Sequence, residues 1–145
     1  MIAIRAEIVV EAPLETVWAD LADIGSHIEW MIDAVAIRFT SPGEFGVGST
    51  FDVATRLGPI RLNDPLEITE WQPARALAVR HGGAVTGTGR FTVESVGESR
   101  TRVIRVERLN FPWWMGGPLG EVVATPILRT LFRASLRAFA ARHHI

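Results

Sequence analysis

A chain of 145 residues with 15 basic and 16 acidic side chains, and a formal net charge of -1, lacks both the basic footprint that nucleic acid demands and a polybasic membrane anchor. It has no cysteine, lysine or tyrosine, which removes disulfides, thiolate metal sites, lysine nucleophiles and phenolic acid–base groups from its chemistry. The length fits one domain over residues 1–145. A 48% hydrophobic content without an apolar run near ~18 residues reads as a cytoplasmic protein with no transmembrane segment.

Ile2, Ile4, Ala6, Ile8 and Val10 alternate with Arg5, Glu7 and Glu11, the period of a half-buried strand. Ala12-Pro13 stops it, and Pro13 opens a helix in which Leu14, Val17, Trp18, Leu21 and Ile24 share one face and Gly25 is the stop. A second short helix over SHIEWM is expected, with Ser26 as its N-cap. From Val35 to Phe111 the texture is that of strands: VAIRF, STFDVATRL, IRLNDPLEITEW, ALAVRH, TGTGRFTVESV and TRVIRVERLNF. Each is bounded by Gly, Pro, Asp or Asn, with Gly97 at the tip of the tightest hairpin. FPWWMGGP breaks the pattern, and Pro118 opens a helix to about His143 in which Pro126 should produce a kink. On that helix Ala124, Leu128, Leu131, Phe132, Ser135 and Phe139 form one side, while Arg129, Arg133 and Arg137 form a row opposite that reads as a solvated face or else as a binding stripe.

Strand, two short helices, six strands and one long helix is an order with a family behind it. The opening strand followed by EAPLETVWADLADIGSHIEWM, the stretch LEITEWQPARALAVR, the hairpin FTVESVGESRTRVIRVERL and the closing LGEVVATPILRTLFRASLRAF carry the resemblance. They resemble the START-like, pollen-allergen-like superfamily, and within it the bacterial SRPBCC proteins labelled polyketide cyclase/dehydrase and lipid transport. The resemblance implies an α+β helix-grip fold, a curved seven-stranded antiparallel sheet wrapped around the long C-terminal helix. It also implies a mostly apolar cavity between sheet and helix, which different members use for lipids, sterols, isoprenoids, polyketides or plant hormones. A small hydrophobic molecule is the expected partner, with no cofactor, and Trp30 matches a position that often faces the cavity mouth.

Residue by residue, catalytic signatures are scarce. HxxxH, HExxH, GxSxG and phosphate-loop patterns are absent, and the GxG of GTGRF lies inside a strand, where it does not suggest a nucleotide. Asp20 and Asp23 read as a solvated or capping pair beside a helix end. With His27 and Glu29 they have no spacing that brings three ligands onto one helical face, so no metal is expected. His81, beside Gly82-Gly83, is the best proton carrier or else a histidine in a solvated turn. In TRVIRVERLNF neither face is cleanly apolar. If the face carrying Val103 and Leu109 looks inward, Arg105 and Glu107 form a charge pair inside the cavity; if outward, they are a surface pair. Ser135 either bonds back to the Leu131 carbonyl or offers a hydroxyl to the cavity. Trp18 reads as core, His143 and His144 as a fraying end. Adjacent Trp113 and Trp114 either plug the barrel or touch a gate, partner or membrane surface.

The expected lining is therefore Trp30, Phe51, Phe91, Glu107, Leu128, Leu131, Phe132 and Ser135, with His81, Arg105 and Glu107 as candidate proton-transfer groups. Three functions compete: a binder of a small hydrophobic ligand, a polyketide cyclase or dehydratase using the same cavity, and a protein- or membrane-surface module. Two polar groups converging on one space favour the enzyme. A wholly apolar cavity weakens it, and one below ~100 Å³ leaves the third.

Overall fold

The computed structural model describes residues 1–143 except Glu44 and Gly58, with Leu57 described by its backbone alone; His144 lies outside the described residues. Strand β1 (Ile2–Val10) leads into helix α1 (Leu14–Ala22), a short 3-10 helix (Ile24–Glu29) and then β2 (Ala34–Phe39). Strands β3 (Thr50–Leu57), β4 (Ile60–Gln72), β5 (Ala76–Gly82), β6 (Thr86–Gly97) and β7 (Arg100–Asn110) follow. A 3-10 turn (Trp113–Met115) then leads into α2 (Gly117–Ala141).

All pairings are antiparallel, in the order β1-β7-β6-β5-β4-β3-β2. This is the helix-grip arrangement. The chain crosses from the β1 edge to the β2 edge once, through α1 and the 3-10 helix, and every later connection is between neighbours. A curved sheet of this kind leaves two apolar clusters on its inner side. The larger joins Ile4, Val10, Val17, Leu21, Trp30, Phe91, Val103, Leu136 and Phe139, where β1, β6 and β7 meet both helices. The smaller joins Ile24, Phe51, Val53, Leu66, Ile68 and Leu77 on β3, β4, β5 and the 3-10 helix.

Two expectations at the start of the chain are corrected. The helix ends at Ala22, before Gly25, and the following segment is 3-10 because Ser26 spends its hydroxyl on the Asp23 carbonyl (2.7 Å) instead of capping a new helix. Gly97 is the last paired residue of its strand, opposite Arg100, and leaves Glu98-Ser99 as the tip. Helix α2 has its 25 residues in one element through Pro126, so it is ~38 Å long.

Polar staples close the grip. Thr101 Oγ1 donates to the Ala12 carbonyl (2.8 Å) at no exposure, and the Phe111 N–H donates to Glu121 of α2 (3.0 Å). The other end of α2 is anchored, not frayed: Arg142 donates to both Asp20 oxygens (3.0 and 2.9 Å) and to Glu29 (3.2 Å). His143 Nε2 lies 2.7 Å from Asp20, with its ring packed near Phe139. Asp20, which the sequence pattern assigns to solvent or a cap, instead ties α1 to the end of α2.

Gly87 shows how tightly β6 and β7 are pressed together. Its φ of +141° is a glycine conformation, and a Cβ there would lie 1.8 Å from the Arg108 carbonyl oxygen. Gly87→Ala should cost about 2–4 kcal/mol of unfolding free energy in a denaturant titration, whereas Gly46→Ala, where a Cβ meets nothing within 4 Å, should stay within about 0.5 kcal/mol.

Candidate functional site

Between the two apolar clusters lie two adjoining chambers of about 100 and 110 Å³. The first lies under the sheet, among Ile24, Phe51, Leu66, Val79 and Phe91, and the second reaches α2 and the turn before it through Leu128, Phe132, Phe111 and Met115. Asp64, His81, Arg105 and Glu107 line both.

These four charged side chains form one network. Strand β7 turns Thr101, Val103, Arg105, Glu107 and Leu109 inward, each buried, which decides the question the alternation left open. Arg105 donates from Nε and Nη2 to Glu107 Oε1 (3.2 and 3.1 Å). His81 reaches Glu107 Oε2 through Nε2 (2.9 Å) and Asp64 Oδ2 through Nδ1 (2.7 Å). The guanidinium also lies over the Phe132 ring of α2, 3.9 Å from its centroid, and 5.4 Å from that of Phe91. Such stacking retains the attraction of a cation to an aromatic face where water is excluded.

The local sequence is built around this cluster. Ala6 of β1 pairs with Arg105 and leaves it space. On the other side, Gly89 of β6 pairs with Glu107, where a Cβ would fall 2.6 and 2.7 Å from the two carboxylate oxygens. The GTGRF glycines are thus the relief that lets β6 pass close to Arg108 at Gly87 and to the Glu107 carboxylate at Gly89. Gly83 has the same effect in the preceding turn, since a Cβ there would meet the Asn63 carbonyl at 2.9 Å and Pro65 at 3.1 Å. That close crossing brings His81 beside Asp64, a residue that no sequence pattern singles out.

Burial alone would lower the His81 pKa. The hydrogen bonds and charges of Asp64 and Glu107 outweigh it and raise the imidazole to about 10. It is therefore an imidazolium at neutral pH and donates from both nitrogens. Glu107 is buried, which opposes ionisation, but Arg105 and His81 hold its carboxyl below the usual range. The network has two cations and two anions, so the buried site is neutral as a whole. His27, which also lines the first chamber, behaves oppositely: burial pushes it down to about 4 against the pull of its bond to the Leu21 carbonyl (2.7 Å). As a neutral ring it donates from Nε2, which leaves Nδ1 as an acceptor.

Two polar atoms of the network, Arg105 Nη1 and Asp64 Oδ1, are buried without a partner among the described residues. A donor and an acceptor in this state each cost about 1–3 kcal/mol unless something bonds to them.

Of the expected lining residues, Phe51, Phe91, Leu128, Phe132 and Glu107 are at the chambers, as are His81 and Arg105. Trp30, Leu131 and Ser135 are not. Trp30 is 1% exposed and enclosed by His27, Phe91 and Phe139 at centroid distances of 4.9, 6.0 and 5.0 Å, so it is core and not a cavity mouth. Ser135 neither bonds back to Leu131 nor faces a chamber: its Oγ accepts the Ile32 N–H (3.2 Å) and fastens the segment before β2 to α2. Leu131 packs at the edge of the larger cluster. Trp113 and Trp114 are both exposed and do not plug the barrel. Among the described residues no group of three His, Asp or Glu side chains is placed to hold a metal, and no helix is long and apolar enough to cross a membrane.

A sheet gripping one long helix, with two chambers on the inner side of the sheet and charged groups shared by both, defines a helix-grip protein with an internal site. The chain matches the model of the family described as polyketide cyclase / dehydrase and lipid transport over residues 1–144, and it belongs to that family. A search of curated protein sequences found no match. Among solved structures it is similar to a Thermus thermophilus protein, at a TM-score of 0.80 with 17% identity, covering 97% of this chain and 96% of that one. It is also similar to the Zhui aromatase/cyclase of Streptomyces sp. R1128 (TM-score 0.77, 17% identity, 98% and 93% covered). A third likeness is to the di-domain ARO/CYC BexL of the BE-7585A biosynthetic pathway (TM-score 0.75, 17% identity), which covers 97% of this chain and 46% of that one. At such identities the likeness is one of fold.

Two pH effects follow. His81 is raised above its unfolded value near 6.5, so its stabilising contribution is complete below that pH and is lost as pH rises through about 10. Glu107→Gln should lower the His81 pKa, read by NMR titration of the ring, and cost about 3–5 kcal/mol by leaving Arg105 and His81 short of a counter-charge. His27 is shifted down, so its contribution is present above pH 6.5 and is lost between 6.5 and about 4, amounting to about 3 kcal/mol. His27→Gln keeps a donor for Leu21 and should flatten the stability curve over that acid interval in denaturant titrations.

Proposed function

We propose that this chain is a single START-like domain that binds a small, mainly apolar molecule in the two chambers and orients it by one polar end against the charged network, in the cytoplasm and without a cofactor. The observation that carries this is the pair Arg105 Nη1 and Asp64 Oδ1. Both are buried, both lack a partner among the described residues, and both belong to residues that line both chambers. A ligand with an acceptor for the guanidinium and a donor for the carboxylate, such as a hydroxy-ketone or hydroxy-acid end on a hydrocarbon body, would meet both. The walls at Phe51, Leu66, Phe91, Leu128 and Phe132 supply affinity by burial, at ~25 cal/mol per Å² of apolar surface.

A second reading has an observation of its own. His81 and Glu107 converge on the space where a folded polyketide chain would sit, and the family includes cyclases and dehydrases in its description. In a cyclase or dehydratase the imidazolium would donate to a carbonyl or leaving hydroxyl, while Arg105 stabilised the developing oxyanion. Binding ranks first because a proton held at about 10 by two carboxylates is poorly matched to transfer at neutral pH, where efficiency peaks for groups near the working pH.

The test pairs native mass spectrometry of the purified chain with thermal-shift titration of matched compounds, each hydrocarbon body with and without a hydroxy-acid end. Binding predicts a co-purifying or added apolar species at one per chain. It also predicts at least ~10-fold tighter association for the polar-ended member, a preference lost in Asp64→Asn while the hydrocarbon still binds. No bound species and no shift from any member would overturn the reading. Turnover of a β-polyketone that vanishes in His81→Asn with binding intact would replace it with the cyclase.

A further inference from the structure

The outer side of α2 changes character halfway along. In its first half Leu119, Val122, Val123, Pro126 and Ile127 recur at intervals of three and four and all face outward, with the four aliphatic side chains 62–73% exposed. The turn that leads into the helix adds Trp113 (87% exposed) and Trp114 (54%). An outward stripe of this kind, continued by two bare tryptophans, is far more apolar surface than one helix of a monomer ordinarily leaves to water. In the second half the same side continues as Thr130, Arg133 and Arg137, with Arg129 at its edge. None of these arginines has an ion-pair partner among the described residues. The one acidic residue of α2, Glu121, is 4% exposed and turned toward Phe111, so no carboxylate of the helix neutralises the row.

We infer that this side of α2, together with Trp113 and Trp114, rests on an anionic lipid surface. Each feature has its counterpart there. Tryptophan is stable at the boundary between headgroup and hydrocarbon, the aliphatic stripe fits the upper acyl region, and the unpaired arginines meet lipid phosphates. The charge pattern selects this occupant over a second copy of the chain. Two copies placed stripe to stripe would bring no acidic side chain of α2 to the arginines, whereas an anionic membrane supplies counter-charge to all three. The placement also joins the surface to the interior. Phe111 and Met115, on either side of the two tryptophans, line the second chamber, so one short segment is both the wall of the cavity and the edge of the docking face. Docking concerns the outside of the molecule and does not depend on what the chambers hold.

The experiment is flotation of the full chain with vesicles of phosphatidylcholine containing phosphatidylglycerol, against vesicles of phosphatidylcholine alone, with tryptophan emission recorded in parallel. Association should be stronger with the anionic vesicles by a factor on the order of 100 for three arginines, fall with added salt, and shift the emission to the blue. Arg133→Glu with Arg137→Glu should abolish the preference for anionic lipid. Trp113→Ser with Trp114→Ser and Ile127→Gln should abolish binding to both, and since these side chains are exposed the variant should keep its far-UV circular dichroism and thermal midpoint. No flotation with either vesicle overturns the inference. So does a concentration-dependent dimer in sedimentation that the tryptophan variant splits, which would assign the face to a second copy. Either result leaves the cavity reading standing, because ligand binding in the chambers is measured without vesicles.

Discussion

Arg105 and Glu107 point into the protein, and nearly every unusual feature of the inner sheet answers to that fact. Two charges on adjacent inward positions of a central strand cannot be left to themselves in a medium that solvates poorly. The carboxylate takes Arg105 on one oxygen and His81 on the other, and His81 in turn requires Asp64. Space comes from Ala6 and Gly89 on the flanking strands, and the guanidinium receives Phe132 from α2 as a lid. The network therefore ties β4, β5, β7 and the long helix to one another through polar contacts at the point where the two apolar clusters fail to meet.

As a stabilising device this is inefficient. Apolar side chains of similar volume would fill the space between the clusters at equal or lower free energy, and buried ion pairs replaced in that way are often neutral or better by about 1–4 kcal/mol. The network moreover stops short of satisfying itself, with one guanidinium nitrogen and one carboxylate oxygen buried and unpartnered among the described residues. Polar groups that keep spare hydrogen-bonding capacity beside an open chamber are what a binding site needs and what a core does not.

The elements were legible because the strand segments have the composition of strands, with clear alternation in β1, and each break between strands is marked by Gly or Pro. The orientation of β7 was not, because Arg102 and Arg108 accompany one face and Arg105 and Glu107 the other, so hydropathy does not separate them. What decides it lies on the neighbours: Ala6 opposite Arg105 and Gly89 opposite Glu107. The glycines of GTGRF were visible, and a glycine inside a strand does signal a close approach, but the approaching group could be named only once the register was known. Asp64 lies inside the strand segment IRLNDPLEITEW, where nothing sets it apart from the other polar residues; its partner is named only by the β4–β5 register, in which Leu66 faces His81 and Pro65 sits beyond the last pair. Trp30 and Ser135 were placed at the cavity by likeness and by helical angle. Angle shows which side of a helix is inward, but not whether the inward group meets a chamber or, as Ser135 does, the N–H of Ile32.

The long helix shows the same limit from the other direction. The buried side was identified correctly because Leu128, Phe132, Ser135 and Phe139 stand against the arginine row in the second half, where polarity contrasts. In the first half, LGEVVATPI is apolar nearly all round, and periodicity cannot distinguish a face that packs from one that does not. Only Glu121 is charged in that run, and it is buried. Such inversion, with the carboxylate inside and the leucine and valines outside, has no rationale in a helix that meets water on its outer side. It follows if that half of the helix has an apolar medium outside and a backbone N–H to satisfy within. The chamber wall at Phe111 and Met115 and the bare tryptophans between them then belong to one segment, which closes the second chamber on its inner side and carries the apolar surface on its outer side.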